Sequence, residues 1–145
     1  MSQRLSADVR TWLYLARVQH KIGQRLTAHL DQYDLTPAQF DVLAQLQRAP
    51  NIVQQQLADR LLVTKGNVVG LLNRMERAGL VTRLAHPEDG RAHLVALTER
   101  GATLAARVVP EHEALIAESF AVLAPADRHS LHDLLRRLNR ALGPT

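Results

Sequence analysis

The chain contains no cysteine, which excludes a disulfide framework, a thiolate metal site and any switch based on oxidising a protein thiol. Aromatic residues are only 3% of the total, so the 46% of apolar residues must build a core from Leu, Ala and Val, a composition suited to packed helices. No stretch approaches the ~18 uninterrupted apolar residues that a membrane span needs, and the opening MSQRLSADVR lacks the apolar run of a signal peptide. At 145 residues the length corresponds to one domain. Together these absences predict a soluble, largely helical protein of the reduced cytoplasm, without a membrane partner.

What is present is an uneven charge. Residues 60–83 carry Arg60, Lys65, Arg74, Arg77 and Arg83 against Glu76 alone, so this segment holds the whole net charge of +4. A clustered cationic excess is the footprint of a surface that meets phosphates. Solvated charged faces are common, and charge by itself leaves the two readings even.

Helical periodicity runs along most of the chain. Leu5, Val9, Trp12, Leu13, Ala16, Ile22, Leu26 and Leu30 mark one face of a long first helix. In LTPAQFDVLAQL, Thr36 is placed as an N-cap, Pro37 at the first helical position and Gln39 where a capping box needs it, which predicts a second helix to about Arg48. QQQLADRL predicts a short third helix, and VTKGNVVGLLNRMERAG a fourth, capped by Thr64 and terminated by Gly79. Only Leu62 and Val63 separate the third helix from the fourth, too few for an antiparallel return, so the two must cross steeply as in a helix-turn-helix. Val68, Leu71, Leu72 and Met75 then face the core, leaving Lys65, Asn67, Val69, Gly70, Asn73 and Arg74 outward. A solvated helix in an ordinary bundle fits this pattern equally well.

The next stretch tips the balance. LVTRLA and AHLVALT are aliphatic and β-branched, and they bracket HPEDGR, whose Asp-Gly pair signals a short hairpin. A helix-turn-helix followed by a hairpin is a winged helix, and its tip carries Arg91, a side chain suited to the negative potential of a minor groove. Asp89 is expected to pair with Arg91 and set its direction.

The sequence here resembles the multiple-antibiotic-resistance regulator (MarR) family of bacterial transcription factors, whose signature runs D-x-R, five residues, then L-T-x-x-G. The chain supplies Asp89, Gly90 and Arg91, then Leu97, Thr98, Glu99, Arg100 and Gly101. LTPAQFDVLAQL, QQLADRL, VTKGNVV and RMERAGLVTR fit the family's order and spacing, so the resemblance covers nearly the whole chain, most strongly residues 35–101. It implies a homodimer with interlocked first and last helices, one winged-helix lobe per subunit and a small-molecule cleft between lobe and base. Val69 and Gly70 depart from the pattern, since many members carry a polar residue and an arginine there.

The expectation is therefore a mainly α fold with a small β-hairpin wing. Residues 32–98 form a winged helix-turn-helix lobe, and residues 1–31 and 99–145 a helical dimerisation base. After the N-cap Thr98 a helix should run to about Leu123, bending near Arg107 because Pro110 lies inside it. Leu131, Leu134, Leu135, Leu138 and Leu142 form one stripe on the last helix, wide enough for another chain but also able to pack within its own subunit. From the fourth helix, the expected DNA-contacting residues are Thr64, Lys65, Asn67, Val69, Asn73 and Arg74. Arg83, Asp89 and Arg91 join them from the hairpin. Trp12, Arg17 and His20 are the expected lining of a cleft for an aromatic or phenolic effector, with core packing an equal possibility for Trp12. His129, His132 and Asp133 share a face at metal-ligand spacing, but two histidines on a polar face are more often solvated, and no cofactor is expected. No catalytic constellation can be placed. The function expected is that of a ligand-responsive repressor bound as a homodimer to a pseudo-palindromic operator, with a winged-helix protein-interaction module as the alternative and hydrolysis at a histidine-bound metal a more distant one.

Overall fold

A computed structural model of the chain describes residues 5–61 and 65–144, the side chains of residues 65 and 66 not being among those described. Six helices and a three-stranded sheet occur among these residues. The first helix, α1 (Ala7–Asp31), starts at Ser6, whose hydroxyl accepts from the Val9 amide at 3.2 Å. It ends in a turn with Asp34 at φ 54°, a left-handed conformation that Asp tolerates. The capping box of α2 (Pro37–Arg48) is complete: Gln39 N–H donates to the Thr36 hydroxyl at 3.2 Å, and Thr36 N–H to the Gln39 side chain at 2.9 Å. Val42, Leu43, Ala44 and Leu46 give α2 its buried face.

Two residues then form β1 (Ile52–Val53), a strand that the sequence reading does not anticipate, before α3 (Gln54–Arg60). The steep crossing deduced from Leu62 and Val63, and the cap at Thr64, fall outside the described residues. From Lys65 to Arg77, α4 buries Val68, Leu71, Leu72 and Met75, as the periodicity predicts. Gly79 ends it at φ 71°, with the Leu80 amide reaching back to the Met75 carbonyl at 2.9 Å in the Schellman pattern.

The hairpin strands are β2 (Val81–Ala85) and β3 (His93–Leu97), antiparallel with Val81 opposite Leu97 and Ala85 opposite His93. β1 pairs on the far side of β3, giving the order β1-β3-β2. Next, α5 (Glu99–Phe120) is one helix continuous across Pro110; it stops three residues short of the expected end, in a turn closed by Leu123 N–H on the Phe120 carbonyl. The last helix is α6 (Pro125–Leu142).

One hydrophobic core lies among α2, α3, α4, the sheet and the first half of α5, with Leu43, Leu46, Leu57, Leu72, Met75, Val95 and Val108 at its centre. Its joint with α5 is tight. Thr98 caps α5 by accepting from Gly101 N–H at 3.0 Å, and its hydroxyl donates to the Gly79 carbonyl. Gly101 packs so closely on the Leu80 carbonyl that a Cβ there would overlap it. The L-T-x-x-G signature is thus a structural seam between lobe and helix. In contrast, α1 buries only Leu30, and no residue of α6 is buried.

Candidate nucleic-acid interface and effector cleft

The outward face of α4 presents Asn67, Val69, Asn73 and Arg74 to solvent, beside the hairpin. Thr64 lies outside the described residues, and Lys65 is placed only by its backbone at the start of α4. Gly70 is not sterically required: a Cβ there would sit 3.6 Å from Arg74 Nη1, an ordinary contact. The guanidinium of Arg74 thus stands beside the very position where many members of the family carry an arginine.

Two of the expected DNA contacts, Arg83 and Asn73, are bonded to each other. Arg83, on β2, donates from Nη2 to Asn73 Oδ1 at 2.8 Å and to the Val69 carbonyl at 3.5 Å, while its Nη1 lies 3.7 Å from Glu76. Its side chain is only 21% exposed, and Nε is buried without a partner. Arg83 thus braces β2 against α4. Because a guanidinium can only donate, it fixes the amide of Asn73 with the oxygen inward and the NH₂ outward.

The wing tip lies where the sequence reading puts HPEDGR between the two strands. Residues 86–92 form the loop, closed by His86 N–H on the Ala92 carbonyl at 3.2 Å. Inside it, His86 Nδ1 accepts from the amides of Glu88 and Asp89 at 3.1 and 3.2 Å, and Asp89 Oδ1 accepts from the Arg91 amide at 3.0 Å. Asp89 thus shapes the backbone and does not orient the Arg91 guanidinium, which corrects the expected side-chain pair: its carboxylate accepts from the amide two residues on, as in an Asx turn. Arg91 itself is exposed at the tip.

A cavity of about 870 Å³ opens between α1 and α2, closed at one end by His112 of α5. Of the three residues expected at an effector cleft, only His20 lines it. Trp12 is 64% exposed on the outer part of α1, and Arg17 lies 5.9 Å from the Tyr14 ring instead. The cavity is shaped by residues that periodicity could not single out. Phe40 stacks on His112 with ring centroids 3.9 Å apart, while Asp31 and Asp41 stand on the wall. His112 is 8% exposed, and burial, followed by the neighbouring His29, holds its imidazole below the ordinary histidine range, against an opposing pull from Glu113.

Behind this wall the Tyr33 hydroxyl donates to Glu111, which also lies 3.7 Å from His29 Nε2 and 3.6 Å from Arg107. The tyrosine bond, more than the nearby cations, keeps the Glu111 carboxyl below its usual range, and the same bond raises Tyr33. On α6, His129 and His132 both lean on Asp133, at 3.3 and 3.5 Å. Among the described residues no group of three His, Asp or Glu side chains is arranged to hold a metal ion, and no helix is long and apolar enough to cross a membrane.

Comparison with known proteins agrees with this architecture. The model of the MarR family matches residues 33–92. A transcriptional regulator of the helix-turn-helix type from Bacillus cereus is 32% identical over 130 residues, covering 89% of this chain and 86% of the relative. The crystal structure of AbsC, a MarR family regulator from Streptomyces coelicolor, superposes with a TM-score of 0.87 at 26% identity over 97% of this chain and 98% of that one. Sco3205 from the same organism, solved in complex with DNA, has the same fold with a TM-score of 0.87 at 22% identity, over all of this chain and 94% of its own. With its lobe, strut and seam, the chain belongs to the MarR family of winged helix-turn-helix transcription regulators, and not to an enzyme family.

Proposed function

We propose that the protein is a ligand-responsive repressor that occupies a pseudo-palindromic operator as a homodimer and releases it when an effector fills the cavity between α1 and α2. The observation that carries the dimer is the leucine stripe of α6. Leu134 is 57% and Leu142 76% exposed in the single chain, so the stripe does not pack within its own subunit. Val9 and Trp12 of α1 are exposed as well. Apolar surface on this scale calls for a partner. In the DNA-facing part, Asn67 reads a base edge, Val69 is apolar enough to meet a thymine methyl, Lys65 and Arg74 meet phosphates, and Arg91 enters the minor groove. The fold shared with the DNA-bound Sco3205 supports this placement.

Two lobes related by a two-fold axis should engage half-sites about 10 bp apart on one face of the duplex. Gel-shift titration with genomic fragments selected by the purified protein tests the reading. With ~6 phosphates neutralised per dimer, the logarithmic salt slope should lie near −5. A flat salt response, or a monomer in sedimentation at micromolar concentration, would sink it in favour of a protein-interaction module.

A further inference from the structure

The loop that carries Arg91 is closed more by side chains than by backbone. Its backbone supplies two bonds, His86 N–H on the Ala92 carbonyl at 3.2 Å and Ala92 N–H on the Asp89 carbonyl at 3.1 Å. The amides of Glu88, Asp89 and Arg91 are held otherwise. His86 Nδ1 accepts from the first two at 3.1 and 3.2 Å, and Asp89 Oδ1 accepts from the third at 3.0 Å. Bonds therefore run in sequence from His86 through Asp89 to Arg91. The first link sets a condition on the imidazole. A neutral ring has one nitrogen that accepts and one that donates, whereas an imidazolium only donates. Two amides directed at Nδ1 thus place the proton of the neutral ring on Nε2, and a second proton would set an N–H against two others.

We propose that His86 is the positioning residue of the wing: its neutral imidazole folds the loop that presents Arg91 to DNA, and protonation of Nδ1 releases that loop. The proposal rests on the reading of Arg91 as a DNA contact and names what holds it in place. The charged and titratable side chains along the hairpin tip are Glu88, Asp89 and Arg91 of the loop itself and His93 of β3, whose strand partner Ala85 precedes His86. From α4, which packs on β2, Glu76 reaches Arg83, three residues before His86. Attraction between an imidazolium and Glu88 or Asp89 at an exposed tip is weak, and it returns no acceptor to the amides. Acidification then acts on DNA binding in two opposed ways. Positive charge on any histidine near phosphates strengthens binding. Opening of the loop removes the share that belongs to Arg91, and that share is the mark of His86.

The test is the affinity of the full chain, with Arg91 and with Arg91→Ala, for genomic fragments selected by the purified protein, at about pH 8 and about pH 5.5, between which histidine changes charge. Their ratio at each pH cancels titrations that do not involve Arg91. In the wild type, Arg91→Ala should cost at least about fivefold at the higher pH and less than about twofold at the lower. His86→Asn supplies an oxygen that accepts from the amide two residues on and does not titrate, so in that background the cost should stay at least about fivefold at both pH values. In His86→Ala it should be below about twofold at both. A wild-type ratio that ignores pH, one that still changes in His86→Asn, or one that survives His86→Ala would each overturn the proposal. The amide resonances of Glu88 and Asp89 in the free protein read the loop without DNA. They should move between the two pH values in the wild type and hold still in His86→Asn; fixed resonances in the wild type would also overturn it. Moving resonances with an Arg91→Ala chain that binds as tightly as the wild type at the higher pH would remove Arg91 from the DNA surface and end the role of His86 in DNA binding. If no chain binds any fragment, the DNA-binding reading itself fails, and the resonances alone decide the loop.

Discussion

The winged lobe and the outer helices α1 and α6 are built from the same apolar residues but use them in opposite ways. In the lobe, Leu43, Leu57, Leu72, Met75 and Val95 are enclosed, and polar groups at the seams are bonded: Thr36 with Gln39, Thr98 with Gly79 and Gly101, Arg83 with Asn73. On the outer helices, Val9, Trp12, Leu134, Leu138 and Leu142 stand in solvent. The lobe is a finished object within one chain, whereas the outer helices leave apolar faces uncovered, which the proposed dimer would cover. If the proposed dimer forms through those faces, substitutions in the two parts should fail in different ways.

The sharpest break is at Gly101. A methyl group there overlaps the Leu80 carbonyl, a backbone group that cannot swing aside. Gly101→Ala should cost ~3 kcal/mol or more and lower the thermal midpoint of the whole chain. A midpoint within a few degrees of wild type would mean that the seam yields more easily than its geometry implies. Next in size is a contrast between two leucines. Leu72→Ala empties a fully buried site and should cost ~2–5 kcal/mol at any protein concentration. Leu138→Ala should instead weaken association, seen as a midpoint that depends more steeply on concentration. Equal behaviour of the two would erase the distinction between lobe and outer helices.

Within the lobe, Arg83 and Arg91 sharpen the comparison between a strut and a contact. Arg83→Ala breaks charge-assisted bonds worth ~1.5–3 kcal/mol in aligning α4, so operator affinity should fall about tenfold or more with the salt slope unchanged. Arg91→Ala should reduce the slope by about one unit per wing. A reduced slope in Arg83→Ala would return that residue to the DNA surface. Since Asp89 shapes the loop through the Arg91 amide, its loss and that of the Arg91 side chain should add independently.

The smallest effect is expected from His112. Its imidazole is held below the ordinary 6.5, so as pH falls through and beneath that value the unfolded chain takes up a proton that the folded chain refuses. This part of the stability is complete above 6.5 and is lost on acidification. Thermal midpoints between neutral and mildly acidic pH should fall less in His112→Gln than in the wild type; parallel curves would assign the acid response to other groups.

Local chemistry was legible in the sequence wherever a few neighbouring residues decide the outcome. The capping box at Thr36 and Gln39, the stop at Gly79, the buried face of α4 and the two hairpin strands all follow from spacing within one element. What sequence could not show depends on partners far along the chain. β1 is only two residues long and exists by pairing with Val95 and Leu94, more than forty positions away. Phe40 and His112 become one aromatic floor only when α2 and α5 pack, so a stretch with His between two glutamates gave no hint of a cavity wall. Arg83 carried the correct charge for DNA, but its direction is set by Asn73 and Glu76 on another element. Trp12 and Arg17 share a helix with His20, yet in the single chain neither lines the cavity.

Helix α5 joins the two regions mechanically. Its first turn is fixed to the lobe through Thr98 and Gly101, and its last turn is fixed to α1, where Arg25 bonds Glu118 and Ser119 at 3.2 Å. Between these anchors runs an unbroken rod of 22 residues, about 33 Å long at the helical rise. As a lever of that length, it converts a tilt of about 5° at the α1 end into a displacement of about 3 Å at the lobe. One nucleotide step along a DNA strand is about 3.4 Å. In the proposed repressor, a tilt that small at α1 would move the lobe by about one nucleotide step.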